Sequence, residues 1–209
     1  MKPIMKPIYW DRAKRELSRR DPVVGEIIRR HPRVHLVARG DPFATLARSI
    51  VGQQISVKAA QAVWERVLAA VGQVSPSGAA DAGARRLRAC GLSRRKVEYV
   101  LDLAAHFSCG AIVPERWQDM DDERVIAELT EVRGIGRWTA EMFLIFNLLR
   151  PDVLPLDDLG LRRAVSLSYR RGREVSAGGI RRIAQAWQPW RSVATWYLWR
   201  SLDPVPVEY

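Results

Sequence analysis

Two adjacent carboxylates, Asp157 and Asp158, follow an apolar stretch stiffened by Pro155 and come directly before a predicted helix. The commonest role of an aspartate at such a position is to cap the helix by accepting hydrogen bonds from its first backbone amides. A carboxylate that faces a cleft instead can stabilise a developing positive charge or activate a water molecule. The local spacing leaves both roles open.

A second candidate for chemistry is the segment 129–140, LTEVRGIGRWTA, which predicts a helix, a turn with two glycines and another helix. Gly134 and Gly136 have no Cβ atom, so the backbone N–H groups around them can approach a ligand closely. Those N–H groups and the positive end of the second helix suit a phosphate oxygen. A plain helix–helix turn is the alternative, but the flanking pattern LxxVxGIGxxTA is the helix-hairpin-helix signature and favours DNA binding.

Three motifs in a fixed order point to one family. They are GIGRWTA at 134–140, LPLDDLGL at 154–161 and WQPWRSVATWYLW at 187–199. Together they resemble the helix-hairpin-helix DNA glycosylase superfamily, and within it the alkylbase glycosylases, in a compact form that lacks the N-terminal sheet domain. The resemblance runs from about Asp41 to Asp203 and therefore covers most of the chain.

The resemblance implies that Asp158 is the catalytic carboxylate, while Asp157 is interpreted as a capping or structural residue. An ionised Asp158 would stabilise the oxocarbenium-like sugar that forms as an N-alkylated base departs, and would orient the attacking water. Bifunctional members carry a nucleophilic lysine where this chain has Trp138, so no Schiff base can form by that route. We therefore expect a monofunctional glycosylase of base excision repair that releases 3-methyladenine, 7-methylguanine and related bases and leaves an abasic site.

The resemblance also implies an aromatic pocket for the cationic base, since aromatic faces attract cations. Trp138 and Trp199 match the pocket positions of the family, and Met142 and Leu159 stand where its prototype carries tyrosines. The remaining tryptophans are expected to be core or lobe-packing residues; they stand at positions 10, 64, 117, 187, 190 and 196.

Further residues are expected to contact DNA. A base must leave the duplex to be reached, and the loop IVGQQIS at 50–56 resembles the family's loop that fills the resulting hole. By position the inserted residue is Gln54, with Gln53 as the alternative, unless both glutamines only decorate an exposed turn. Arg137 and Thr139, next to the hairpin, are the other predicted DNA contacts. The backbone carbonyls of Thr130, Val132 and Ile135 are predicted to hold a structural Na⁺ or K⁺; no other cofactor is expected.

Two other functions fit the same motifs. One is a monofunctional glycosylase for deaminated or oxidised bases, whose pocket discriminates neutral bases by hydrogen bonds; the tryptophan-rich positions favour a cationic substrate instead. The other is a non-catalytic helix-hairpin-helix protein that binds damaged DNA. The presence of Asp158 at the expected position argues against this function.

These residues must be positioned by helices, because apolar residues recur almost everywhere at helical spacing and alternating strand patterns are nearly absent. We predict an all-α, two-lobed helical bundle with the active site in the cleft between the lobes. Segment 1–40 is expected to complete the C-terminal lobe, 41–115 to form a central lobe, and 116–209 to carry the hairpin and Asp158. The predicted helices begin at Pro42, after Ser56, at Ala82, after Ser93 and at Asp121, and then cover 137–149, 159–170, 176–187 and 190–201; 71–80 is predicted to be a loop.

The composition restricts the function further. The 209 residues include 34 Lys+Arg against 23 Asp+Glu, a net charge of +11 that favours a polyanionic partner such as double-stranded DNA. Two cysteines are too few for a disulfide framework, a zinc site or an iron–sulfur cluster. No apolar run is long enough for a transmembrane helix. The first residues lack the apolar stretch of a secretory signal. We expect a soluble monomer, cytoplasmic and nucleoid-associated in a bacterium or nuclear in a eukaryote.

Overall fold

The computed structural model describes residues 6–202, and within this range it is helical, with no β-strand. The α-helices are α1 (Trp10–Arg20), α2 (Pro22–Arg30), α3 (Pro42–Gly52), α4 (Val57–Val71), α5 (Pro76–Ala89), α6 (Arg94–Ser108), α7 (Asp122–Thr130), α8 (Arg137–Phe146), α9 (Leu159–Arg170), α10 (Ala177–Ile183) and α11 (Arg191–Leu202). Two 3₁₀ helices cover Pro114–Asp119 and Ala184–Trp187. The all-α prediction is confirmed. Among these described helices, none combines the length and apolar character that a membrane span requires.

Side-chain caps determine where several helices begin. In each case a short polar side chain accepts a hydrogen bond from a backbone amide of the first turn, which would otherwise lack an intrahelical partner. Ser56 and Ser93 are the caps that the sequence predicted, and Asp41 and Asp121 cap the helices predicted to begin at Pro42 and Asp121. These four helix starts are confirmed, because a cap depends only on residues three positions apart.

When α10 is taken together with the 3₁₀ helix that follows it, two helix boundaries differ from the prediction by more than two residues. Helix α5 begins at Pro76 inside the predicted loop, because Ser75 caps it and Pro is favourable in the first turn of a helix. The backbone is kinked at Gly83, so apolar residues on the two sides of the kink do not follow one helical period in the sequence. Helix α8 ends at Phe146 and not at Leu149. Leu149 adopts a left-handed φ of 53°, and the amide of Arg150 closes the turn onto the carbonyl of Leu144 at 2.9 Å.

The described chain divides into two compact units. The central unit is Arg39–Phe143, and the terminal unit combines residues 6–38 with residues 144–202. The sequence placed a boundary near residue 115, whereas the structure places residues 116–143 in the central unit. Contacts that cross this position explain the difference: Arg133 binds Asp102 of α6, and the side-chain amide of Gln53 donates to the carbonyl of Gly134.

Buried tryptophans form much of the core within the units. In the terminal unit, the ring of Trp10 lies 5.4 Å from that of Trp196 and 5.8 Å from that of Tyr197. Asp21, which caps α2, accepts hydrogen bonds from Tyr169 and from the indole of Trp187. All six tryptophans predicted to be core or lobe-packing residues are at most 7% exposed, which confirms that prediction.

Candidate active site

The carboxylate of Asp158 lies at the start of α9 and is the capping group of that helix. Its Oδ1 accepts a hydrogen bond from the backbone amide of Leu161 at 2.6 Å and another from the indole Nε1 of Trp199 at 2.8 Å. The residue is 7% exposed, whereas Asp157 is exposed and is not the capping residue of α9. The capping role considered for Asp157 is therefore wrong, because Asp158 caps α9. Asp158 also accepts the hydrogen bond from the indole of Trp199.

Trp199 is itself held in place by a neighbouring aromatic ring. It projects from the last turns of α11, and its indole stacks on the ring of Phe146 with centroids 5.6 Å apart and planes inclined by 12°. A stacked ring has little freedom to rotate, so this contact keeps Nε1 directed toward Asp158. Sequence reasoning identified Trp199 from its motif but did not identify Phe146.

Gly160 is the residue that permits this close approach. A Cβ atom at this position would lie 3.1 Å from Oδ1 of Asp158 and 3.1 Å from Cδ1 of Trp199. Such distances are tighter than ordinary van der Waals contact, so any larger residue would push the carboxylate and the indole apart. Sequence reasoning missed this role, although a glycine in the first turn of a helix, directly after the aspartate pair, was an available signal.

The loop that leads to Asp158 is fixed to the beginning of α11. Asp152 accepts hydrogen bonds from Nε of Arg191 at 2.7 Å, from its Nη2 at 2.9 Å and from its backbone amide at 3.2 Å. Next to this pair, the hydroxyl of Ser192 accepts from the amide of Val153 at 2.9 Å, and the amide of Ser192 donates to the carbonyl of Pro151. The loop is thus tied to α11 at both of its ends, since Asp158 is bound by Trp199.

The other predicted pocket residues are distributed over both units. Leu159, beside Asp158 in the terminal unit, is 77% exposed. Trp138 is half-buried and Met142 is buried; both lie on α8 in the central unit. The structure therefore brings Asp158 and Trp199 into direct contact and adds Gly160 and Phe146 to the residues predicted from the sequence.

The predicted hairpin lies between α7 and α8, and its two glycines have different surroundings. Gly134 has a left-handed φ of 87°, and a Cβ atom there would lie 2.2 Å from Cδ2 of Tyr99. A Cβ atom on Gly136 would meet nothing within 4 Å. Gly134 is required by the fold, whereas Gly136 leaves an open backbone surface that an external group can approach.

The two residues predicted to contact DNA at the start of α8 have partners within the central unit or are buried. Arg137 binds both carboxylate oxygens of Glu123 with its terminal nitrogens, and its Nε donates to Glu141 at 3.0 Å. Thr139 is 7% exposed. A contact between Arg137 and a phosphate would require the guanidinium to exchange carboxylate partners for the phosphate.

The glutamine pair after α3 does not form a uniformly exposed turn. The side-chain amide of Gln53 donates a 2.7 Å hydrogen bond to the carbonyl of Gly134 in the hairpin. Gln54 is exposed and has a left-handed φ of 58°. Of the two residues, Gln54 is the one that presents its side chain to solvent.

The sequence of this chain is similar to those of known DNA repair proteins. The family described as HhH-GPD superfamily base excision DNA repair protein matches residues 47–190. DNA-3-methyladenine glycosylase 1 of Schizosaccharomyces pombe is 34% identical over 165 residues, which are 77% of this chain and 72% of that protein. DNA-3-methyladenine glycosylase 2 of Escherichia coli is 28% identical over 190 residues, and the chain spans 63% of its length.

Solved structures show the same similarity. A DNA-3-methyladenine glycosidase from Bacillus halodurans superposes with a TM-score of 0.84 at 33% identity, covering 91% of this chain and 89% of that one. A 3-methyladenine DNA glycosylase of Schizosaccharomyces pombe, solved in complex with abasic DNA, gives a TM-score of 0.79 at 31% identity and covers 91% and 96%.

Proposed function

Because the chain belongs to the HhH-GPD superfamily of base excision DNA repair proteins, we propose that it is a monofunctional DNA glycosylase for alkylated bases. It would release N-alkylated purines such as 3-methyladenine and 7-methylguanine from double-stranded DNA and leave an abasic site. The observation that carries this proposal is the Asp158 carboxylate, buried and oriented by Leu161 and Trp199. The relatives named as 3-methyladenine glycosylases support the substrate class.

The chemistry follows from the charge of the substrate. An N-alkylated purine is already cationic, so its glycosidic bond is weak, and its departure leaves positive charge on the sugar. A fixed carboxylate near that sugar stabilises the developing cation by electrostatics and orients a water molecule for attack. The carboxylate of Asp158 is prevented from swinging away because one of its oxygens is bound by two N–H donors from different helices.

The base would be recognised by aromatic faces. Trp199 in the terminal unit and Trp138 in the central unit each offer an indole ring, whose face attracts a cationic base through a cation–π interaction. Met142 in the central unit and Leu159 in the terminal unit add apolar surface. Stacking on Phe146 orients the ring of Trp199, so its positioning does not depend on the substrate.

The DNA backbone would be held by the hairpin. The open surface at Gly136 allows phosphate oxygens to approach backbone amides at the start of α8, where the helix dipole is positive. The carbonyls of Thr130, Val132 and Ile135 would hold a Na⁺ or K⁺, whose positive charge would attract the phosphate. The Val132 carbonyl accepts a hydrogen bond from the backbone amide of Ile135. A carbonyl oxygen has a second lone pair that can bind a cation, so the turn fits such an ion.

Residue 138 carries the proposal that the enzyme does not cut the DNA backbone. A tryptophan at this position supplies no amine for a Schiff base. Incubation with substrate DNA and borohydride should therefore trap no covalent complex, and strand cleavage should require added alkali or heat. An efficiently trapped complex would show that another amine acts as the nucleophile and would overturn this part of the proposal.

The whole proposal is tested by base release from a panel of duplexes that carry alkylated, deaminated or oxidised bases. We expect release of alkylated purines by the wild type and none by Asp158→Asn. Selective release of deaminated or oxidised bases would identify a glycosylase of the other substrate class. Binding without release of any base would identify a non-catalytic damage-binding protein.

A further inference from the structure

The loop that carries Gln54 and the hairpin are joined by a direct hydrogen bond within the central unit. The Nε2 group of Gln53 donates to the carbonyl of Gly134 at 2.7 Å, although the two residues are 81 positions apart. Gln53 is half-buried, and this bond directs its amide toward the protein and not toward solvent. The neighbouring Gln54 is exposed, so the side chains of the two glutamines have different surroundings and are expected to have different roles.

One face of α6 supports both of these segments. The ammonium group of Lys96 donates to the carbonyl of Val51 at the end of α3, at 2.7 Å. One turn later, the ring of Tyr99 fills the space beside Gly134. After another turn, Asp102 accepts hydrogen bonds from the backbone amide of Arg133 at 2.9 Å and from its Nε at 3.1 Å. Residues three positions apart share a helix face, so α6 holds the loop and the hairpin on one surface.

The conformation of Gln54 explains why such support is needed. A left-handed φ is uncommon for a residue other than glycine and persists only where the surroundings impose it. On its N-terminal side the backbone is restrained at Val51 by Lys96 and at Gln53 by Gly134. These restraints act on the residues directly before Gln54 and limit how far the loop can move.

We propose that Gln53 is a positioning residue: through the Gly134 carbonyl it holds Gln54 ready for insertion, so that the loop and the hairpin engage a duplex together. This inference rests on the proposed function, in which Gln54 fills the hole left by the flipped base. It assigns Gln53 a role different from the DNA contact expected from the sequence, because its amide is directed to the hairpin.

A double-mutant comparison separates positioning from direct contact. Gln53→Met keeps the length of the side chain and removes the donor, Gln54→Ala removes the inserted group, and Gln73→Met, at an exposed position outside this loop, serves as the matched control. Excision from duplex DNA should fall about tenfold in Gln53→Met, as expected for the loss of one hydrogen bond, and not in Gln73→Met. Excision from unpaired substrates, where no hole has to be filled, should be unchanged.

The double variant gives the decisive result. If Gln53 acts through Gln54, the variant Gln53→Met/Gln54→Ala should excise no more slowly than Gln54→Ala alone. If the rate losses of the two single variants multiply in the double variant, Gln53 contacts DNA itself. If Gln53→Met excises as fast as the wild type, the hydrogen bond to Gly134 has no role. Either result overturns the proposal. Gln53→Asn, whose amide is one methylene short of Gly134, provides a second variant if Gln53→Met does not fold.

A measurement on the free protein keeps this inference separate from the proposed function. Hydrogen–deuterium exchange of the amides in residues 132–136 should be faster in Gln53→Met than in the wild type, and unchanged in Gln54→Ala. Equal exchange in all three proteins would overturn the inference. If the wild type releases no base, the proposed function fails; the same double-mutant comparison, made on affinity for a duplex with an abasic site, then decides the role of Gln53.

Discussion

The indole of Trp199 donates a 2.8 Å hydrogen bond to the same carboxylate oxygen of Asp158 that caps α9. The two residues are 41 positions apart, so the orientation of the carboxylate depends jointly on the start of one helix and the end of another. Gly160 makes room for this contact, and Phe146 restrains the indole ring. This group of four residues is the most precisely built feature of the candidate active site.

The variant Trp199→Phe should lower the rate of base release while leaving DNA affinity nearly unchanged. Phenylalanine keeps an aromatic face against Phe146 but has no N–H group for Asp158. A hydrogen bond to a charged group contributes about 1.5–3 kcal/mol, which corresponds to roughly a 10- to 100-fold loss if all of it acts in the transition state. Single-turnover excision rates and duplex affinities measure the two effects separately.

Trp190→Phe is the matched control for this prediction. The indole of Trp190 also donates to a carboxylate, at 2.9 Å, but its partner is Glu16 on α1. This variant should retain the wild-type rate per folded molecule. Equal rate losses in both variants would mean that loss of any indole, and not the contact with Asp158, causes the effect.

Asp158→Asn should abolish excision and preserve both the fold and DNA binding. Asparagine is also a good helix cap and keeps the shape of the side chain, so only the negative charge is lost. Asp157→Asn should have a much milder effect, because Asp157 is exposed and does not cap α9. If the two variants exchange these properties, the catalytic carboxylate has been assigned one residue too late in the chain.

The two hairpin glycines should respond differently to the same substitution. Gly136→Val should fold normally, because its Cβ atom meets nothing within 4 Å, and should weaken binding to every DNA sequence by blocking the backbone surface. Gly134→Val should be destabilised, since its Cβ would overlap the ring of Tyr99 and its φ is left-handed. Thermal unfolding followed by circular dichroism and salt-dependent DNA binding distinguish these outcomes. A folded Gly136→Val protein with wild-type affinity would contradict the assignment of the hairpin.

The ion pair between Asp102 and Arg133 should stabilise the protein in a pH-dependent way. Burial alone would raise the pKa of Asp102, but hydrogen bonds from the backbone and side chain of Arg133 outweigh it and lower that pKa. Because the folded-state pKa lies below the unfolded value, the stabilisation is complete above that value, about 4, and is lost as the pH falls through the folded-state pKa.

Urea unfolding of the wild type and of Asp102→Asn over a range of pH checks this prediction. The difference in free energy of unfolding between the two proteins should be constant above about pH 5 and should shrink below about pH 4. A difference that does not change with pH would show that the charge of Asp102 does not contribute to stability.

The sequence predicted those features that depend on residues close together in the chain. The caps at Ser56 and Ser93 are examples, and the hairpin and Asp158 were found because their motifs are continuous. Motif order also singled out Trp199. What escaped prediction depends on distant pairs: Phe146 with Trp199, and Asp152 with Arg191.

Local ambiguity accounts for the other differences. The Pro76 helix was hidden by a glycine- and serine-rich composition, although Ser75 and Pro76 form a favourable start. Asp157 and Asp158 are chemically identical neighbours, and only the turn of the backbone into α9 determines which of them accepts the amide of Leu161.

The connectivity of the two units has a consequence for the order in which the molecule is completed. The central unit, with the hairpin and Gln54, is one continuous stretch of chain, whereas the terminal unit pairs Trp10 with Trp196 and Tyr197 across nearly the whole described length. Contacts between distant residues form late, because the intervening chain must first be ordered. We expect the elements proposed to hold DNA to mature before the terminal unit that carries Asp158 and Trp199, so that a newly made chain passes through a stage that binds DNA without releasing a base. Pulsed hydrogen exchange during refolding would show this as protection of α6 ahead of α11; the reverse order would exclude such a stage.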